Sequence, residues 1–169
     1  MPADEQGITL DRYMLIPRTL IFLTRANQVL LIKGSPHKRL WANHYNGLGG
    51  HIERGEDVLT AARRELFEET GLSSPDLRLC GTIVIDTGQN PGIVLFVVTG
   101  TCPDGEPGKS LEGQPEWVAA AGLPALLLVE DLPILLPRVL AHQPGDPPFA
   151  GRYWYDEEGR MKVEFAEAP

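Results

Sequence analysis

The chain has 169 residues, 43% hydrophobic and 22% charged, the size and balance of one ordinary folded domain, which argues against a two-module enzyme and against a disordered chain. Fifteen Lys and Arg against 23 Asp and Glu leave a formal charge of −8, so no general basic surface exists to displace counterions, and stable nucleic-acid binding is not expected. A small anionic substrate remains compatible with that charge, because a divalent cation and a local basic patch reverse the field at one site.

Residues 1–6 are acidic and lack the basic and apolar segments of a secretory signal, which points to the cytoplasm. Residues 18–23 and 29–33 are β-rich runs separated by a turn-forming stretch, and they read as a hairpin. Residues 34–55 carry His, Asn, Pro and Gly without periodicity and read as a long ordered loop, a feature that is usually functional. From Glu56 the pattern turns helical, with Glu56 and Asp57 at the dipole-favoured start and Gly71 as the left-handed stop. Strands are expected at 77–85, 93–98 and 116–118, with an exposed Gly- and Pro-rich loop over 101–115. Residues 126–140 read as a second helix, started or interrupted at Pro133 and capped from Glu130 and Asp131, and 152–155 with 161–165 as a terminal hairpin.

This order implies an α/β fold with a mixed sheet and helices on its faces, in one domain over 1–169, its core at about 18–140 and its hairpin at about 151–165. The most apolar stretch, 118–129, is shorter than the roughly 20 residues of a bilayer span, so no membrane association is expected. Cys80 and Cys102 lack metal-ligand spacing and read as buried free thiols.

The first helix carries the chemistry. At about 100° per residue, Val58, Leu59, Ala62 and Leu66 share one arc, and Glu65, Glu68 and Ala61 the arc beside it. Glu69 falls at the edge of the apolar arc, where a carboxylate needs a partner. Glu65, Glu68 and Glu69 converge at i, i+3 and i, i+4, and two such charges about 5 Å apart repel by roughly 3 kcal/mol at an effective dielectric near 20. A divalent cation removes that repulsion, and Mg²⁺ takes carboxylate oxygens, water and phosphates. The plainer alternative is a solvated helix face, since Glu is a strong helix former. The misplaced Glu69, and Arg64 beside Glu65 and four residues before Glu68, weigh against it.

Gly50, Glu56 and the run Arg64-Glu65-Leu66-Phe67-Glu68-Glu69-Thr70-Gly71-Leu72 fill every fixed position of the Nudix box, and the order of elements from about 19 to 140 resembles the Nudix α/β/α sandwich, with a box helix and a C-terminal helix. The resemblance implies an enzyme that hydrolyses a nucleoside diphosphate linked to another moiety, using Mg²⁺, for which Mn²⁺ can substitute. It implies Glu68 and Glu69 as principal metal ligands, Glu65 as a ligand or the base that activates water, the Gly49 carbonyl as a further ligand, Arg64 as the residue that orients the glutamates and Glu56 as its partner near the helix start. Glycines at 47, 49 and 50 permit close backbone approach, or simply make a tight turn.

Residues 45–50, Tyr-Asn-Gly-Leu-Gly-Gly, resemble the approach to the box in the MutT-like branch that acts on oxidised purine nucleoside triphosphates, which makes Asn46 a base contact. Glu112, followed by Pro115 and Trp117, resembles that branch's loop carboxylate, recruited to the metal with nucleotide. Asp131 resembles one of its base-reading acids, but Val129 and Leu132 depart from the pattern, so base identity stays open and helix capping is an equal reading of Asp131. Lys33, Lys38 and Arg39 could steer a triphosphate or form a solvated surface; Tyr45, Trp41 and Phe22 are base-stacking or core aromatics; His37, His44 and His51 contact phosphate or solvent. The leading reading is a pyrophosphohydrolase yielding a nucleoside monophosphate and pyrophosphate, as a monomer or homodimer. The alternatives are hydrolysis of ADP-ribose or dinucleoside polyphosphates, and a non-catalytic nucleotide-sensing module.

Overall fold

The computed structural model describes residues 2, 6, 7, 9, 11–37, 40–102 and 104–166. In chain order the elements are β1 (Leu15–Arg25), β2 (Gln28–Gly34), β3 (Tyr45–Asn46), α1 (Val58–Thr70), β4 (Arg78–Ile85), β5 (Gly92–Thr101), β6 (Gly113–Ala119), a 3-10 segment (Ala120–Ala125), α2 (Leu132–Ala141), β7 (Phe149–Tyr155) and β8 (Met161–Phe165). The strands join one mixed sheet in the order β3-β2-β1-β5-β4-β7-β8, with β6 also paired to β2. β1 runs parallel to β5 along almost its whole length, and β4 parallel to β7.

The strand pleat sends alternate side chains to opposite faces, and the two faces bury separate cores. Leu20 and Phe22 point to the side of α2, where Leu132, Leu135, Leu136 and Val139 pack. Ile21 and Leu23 point to the side of α1, where Ala62 and Leu66 pack with Val58 and Leu59 beside them, the apolar arc that the helical spacing predicts. The result is the expected sandwich of helix, mixed sheet and helix.

The hairpin of β1 and β2 holds only at its tip, where Thr24 faces Val29 and Arg25 faces Gln28. Beyond that β2 diverges to pair with β6 from Gln28↔Ala119 to Gly34↔Gly113. The edge of β1 that β2 leaves is taken by the segment after β3: Ile21 N–H donates to the Leu48 carbonyl at 2.7 Å, Leu48 N–H to the Ile21 carbonyl at 3.1 Å, and Thr19 N–H to the Gly50 carbonyl at 2.8 Å. The long loop expected over 34–55 therefore contains a short strand and a strand-like glycine segment, because unpaired β1 donors need acceptors.

Other boundaries move for identifiable reasons. α1 begins at Val58, with Asp57 as its cap accepting from the Leu59 and Thr60 N–H groups at 2.8 and 3.0 Å, so Glu56 lies outside the helix. Gly71 closes it at φ +71°, as the sequence predicts. The second helix starts at Leu132 rather than at 126, since Tyr45 N–H donates to the Leu127 carbonyl and Val129 N–H to the Tyr45 carbonyl, holding 127–129 extended beside β3. β6 begins at Gly113, so Pro115 sits in a strand opposite Ile32 instead of in the loop, which an edge strand tolerates because its outer N–H is not needed. Both cysteines are buried and free. Among the described residues no helix is long and apolar enough to cross a membrane.

Candidate active site

Arg64 organises the acidic helix. Its Nε and Nη2 donate to the two oxygens of Glu56 at 2.7 and 2.8 Å, a bidentate pair that holds the Glu56 carboxyl at about 2. Nη1 donates to Glu65 Oε1 at 2.8 Å and Glu68 Oε2 at 3.3 Å, and Nη2 also reaches the His51 carbonyl at 3.1 Å. With carboxylates on three sides, the guanidinium is held firmly in its charged form.

The glycine segment meets the helix on its other side. Glu69, only 7% exposed, accepts the Gly49 N–H on Oε2 at 2.8 Å, so the carboxylate at the edge of the apolar arc does have a partner. Gly49 has φ +126°, and a Cβ there would fall 2.4 Å from the Thr19 carbonyl oxygen. At Gly50 a Cβ would fall 2.6 Å from Glu65 Oε1, so the carboxylate lies directly against bare backbone. Glu68, its side chain 59% exposed, faces outward from the same strip.

Two recesses adjoin this strip. The smaller, about 110 Å³, is lined by Glu69, Gly49, His44 and Glu112 among others. The larger, about 390 Å³, lies on the α2 side and is lined by Asn46, Gly47, Asp131, Arg18 and the aromatic rings of Tyr153 and Tyr155. Trp41, Asn46, Gly47, Gly49 and Glu112 border both, so the two form one continuous depression.

Of the residues singled out in the sequence, Asn46, Gly49, Glu112 and Asp131 meet at this depression, with Glu69 at its floor and Glu56, Arg64, Glu65 and Glu68 along the adjoining helix. Asp131 makes no capping bond to α2. It lines the larger recess, and burial pushes its carboxyl up to about 6. Tyr45 and Lys33 do not line either recess: the Tyr45 ring is buried in the core with its hydroxyl donating to Glu116 Oε1 at 2.8 Å, and the Lys33 ammonium lies over the Tyr45 ring. Phe22 is fully buried in the core, and Lys38 and Arg39 lie outside the described residues.

The far wall of the larger recess comes from the terminal hairpin, for which the sequence suggested no role. Tyr153 and Tyr155, two apart on β7, share one face of the strand, and that aromatic alternation is the signal that marks them.

Residues 14–149 match the NUDIX domain. Over 100 residues the chain is 34% identical to the oxidized purine nucleoside triphosphate hydrolase of Danio rerio, a stretch covering 59% of this chain and 63% of that relative, just under two thirds of its length. Over 107 residues it is 31% identical to the enzyme of the same name from Mus musculus, covering 63% of this chain and 67% of that one. Its fold superposes on a MutT protein from Bacillus halodurans with a TM-score of 0.76 at 25% identity, covering 92% of this chain and all of that one. A box helix braced by Arg64, a glycine segment set against its carboxylates and a domain match over most of the chain agree: the protein is a member of the Nudix hydrolase family.

Proposed function

We propose that the protein hydrolyses an oxidised purine nucleoside triphosphate to the nucleoside monophosphate and pyrophosphate, with Mg²⁺ or Mn²⁺ held by the carboxylates of α1. The observation that carries this reading is the continuity of an acidic recess with a larger recess that offers apolar walls and a few polar groups. A ligand that is anionic at one end and a flat base at the other fits such a depression. The names of the two animal relatives point the same way.

The donor set suits a hard cation. Glu65, Glu68, Glu69, Glu112 and the Gly49 carbonyl would supply oxygen alone, the ligand type Mg²⁺ prefers. Among the described residues no three acidic, His or Cys side chains are already gathered round one point. Mg²⁺ keeps several waters and accepts substrate phosphates, so a closed protein cage is not required. When bound, the cation would neutralise charge on non-bridging phosphate oxygens and acidify a water.

The chain's own groups would then divide the work. Arg64 holds Glu65 by Oε1, leaving Oε2 to take the proton of the attacking water. Glu56, clamped on the same guanidinium, fixes the brace. The water oxygen bonds to phosphorus as the phosphoanhydride bond breaks, and pyrophosphate leaves the monophosphate. Asn46 and Asp131 would contact the base. One sheet shared by all the strands supports reading 1–169 as one domain, acting as a monomer or homodimer.

The test is to incubate the protein with Mg²⁺ and canonical and oxidised nucleoside triphosphates, ADP-ribose and dinucleoside polyphosphates, and to identify both products chromatographically. The expected result is monophosphate and pyrophosphate from oxidised purines, abolished by a chelator. Release of orthophosphate, or cleavage confined to ADP-ribose or dinucleotides, would overturn the reading.

A further inference from the structure

Two residues that line the larger recess each carry a buried polar atom with no hydrogen-bond partner among the described residues. One atom is the hydroxyl of Tyr153, a residue only 1% exposed; the other is Nε of Arg18. A third donor stands nearby: Asn46 Oδ1 accepts the Gly47 N–H at 2.8 Å, which turns the Nδ2 hydrogens to the other side of the amide. Three acids line this recess, Glu112, Glu130 and Asp131, and it is the charge of Asp131 that, after burial itself, raises the Tyr153 hydroxyl pKa.

Strand register fixes where these groups stand. Arg18 pairs with Leu95 and Ile93 with Ile85, which pairs with Tyr153, and all five belong to the α2 face of the sheet. Ile93, Leu95 and Ile85 thus make an apolar floor, with Arg18 at one side and Tyr153 at the other. β1 and β7 are three strand spacings apart, about 14 Å at about 4.8 Å each, and the recess of about 390 Å³ that Arg18 and Tyr153 both line has the volume for a fused bicyclic ring.

We infer that Arg18 and Tyr153 are specificity-determining residues that donate hydrogen bonds to exocyclic oxygens of the base, so that the recess selects a 6-oxopurine over a 6-aminopurine. The inference rests on the reading of the protein as a nucleoside triphosphate hydrolase. A buried hydroxyl without a partner is a standing cost to the fold, and a ligand carbonyl relieves it. The guanidinium N–H can only donate, so an amino group in place of the carbonyl leaves both sides unpaired. A carboxyl oxygen of Asp131 accepts from a ring N–H of the same base.

The deciding measurement is kcat/KM with Mg²⁺ for two matched pairs, dITP with dATP and 8-oxo-dITP with 8-oxo-dATP, on the parent, Tyr153→Phe and Arg18→Met. The parent should prefer the 6-oxo member of each pair, and each substitution should lower that ratio by about tenfold or more. Because the hydroxyl has no partner among the described residues, Tyr153→Phe should leave Tm unchanged or raise it. An unchanged ratio in both variants, or a parent that prefers the 6-amino members, overturns the inference while leaving triphosphate hydrolysis standing. A lower Tm with an unchanged ratio assigns Tyr153 to packing and also overturns it. If the parent cleaves none of the four but cleaves ADP-ribose or a dinucleotide, the underlying reading fails, and the base assignment with it.

Discussion

Asp131 is a carboxylic acid whose surroundings work against its charge: burial raises it from 3.8 to about 6, with Glu130 adding repulsion. A folded-state value above the unfolded one means that the associated stability is complete below about pH 4 and is lost as pH rises through 6. At about 1.4 kcal/mol per pH unit, the span amounts to about 3 kcal/mol. Asp131→Asn should therefore match the parent in denaturant unfolding near pH 4 and exceed it by up to that amount at pH 7.5; an equal gap at both pH values would show that the carboxyl does not ionise in the recess. The same substitution should lower discrimination among purines. Glu69→Gln is expected to act on turnover and not on stability. The amide oxygen can still accept the Gly49 N–H, so Tm should change little while Mg²⁺-dependent turnover falls by about a hundredfold or more. Near-normal turnover would remove Glu69 from the proposed metal site. Glu112→Gln should cost less than Glu69→Gln, since its loop carboxylate would be recruited only with nucleotide.

At the scale of elements, the glycine segment between β3 and α1 separates two effects that usually travel together. Gly49→Ala places a Cβ on the backbone carbonyl of Thr19 at φ +126°, so it should destabilise the fold by more than about 2 kcal/mol in chemical unfolding. At Gly50→Ala the nearest atoms to the new Cβ are the end of the Glu65 side chain, which can swing away, so the variant should fold near normally and lose turnover. If both variants unfold alike, the carboxylate is not what the bare backbone at Gly50 accommodates. Much of α1 was legible in the sequence, because the left-handed Gly71 and the apolar arc are local signals, while the start fell two residues late because Asp57 caps the helix instead of lying in its first turn. The start of α2 was not: the pull of β3 on residues 127–129 is a contact across about 80 residues of sequence, and no local propensity reports it. The recess wall on β7 was hidden for the same reason, since Tyr153 reaches the site only through the pairing of β7 with β4. Asp131 read equally well as a cap or a base contact because an acid at a helix start can serve either way, and the missing cap bond and the burial are tertiary facts that local sequence does not carry.

For the whole molecule, the sheet divides the interior in two, and each half holds one thiol. Cys80 lies in the core beneath α2, pushed up to about 12 by burial, and Cys102 lies in the core beneath α1, also raised by burial. Both should resist an aromatic disulfide reagent in the native protein, because the reactive thiolate is scarce and hidden. If residues 1–169 form one cooperative domain, site-resolved labelling in mild denaturant should show the two thiols reacting with the same opening free energy; distinct energies would mean that the layers open separately. The chain thus carries a matched pair of internal clocks, one behind the helix that bears the glutamates and one behind the layer that frames the larger recess. If the layers open together, a substitution or ligand that tightens either one will slow both clocks alike; if they open separately, it will slow only the clock behind the layer it tightens.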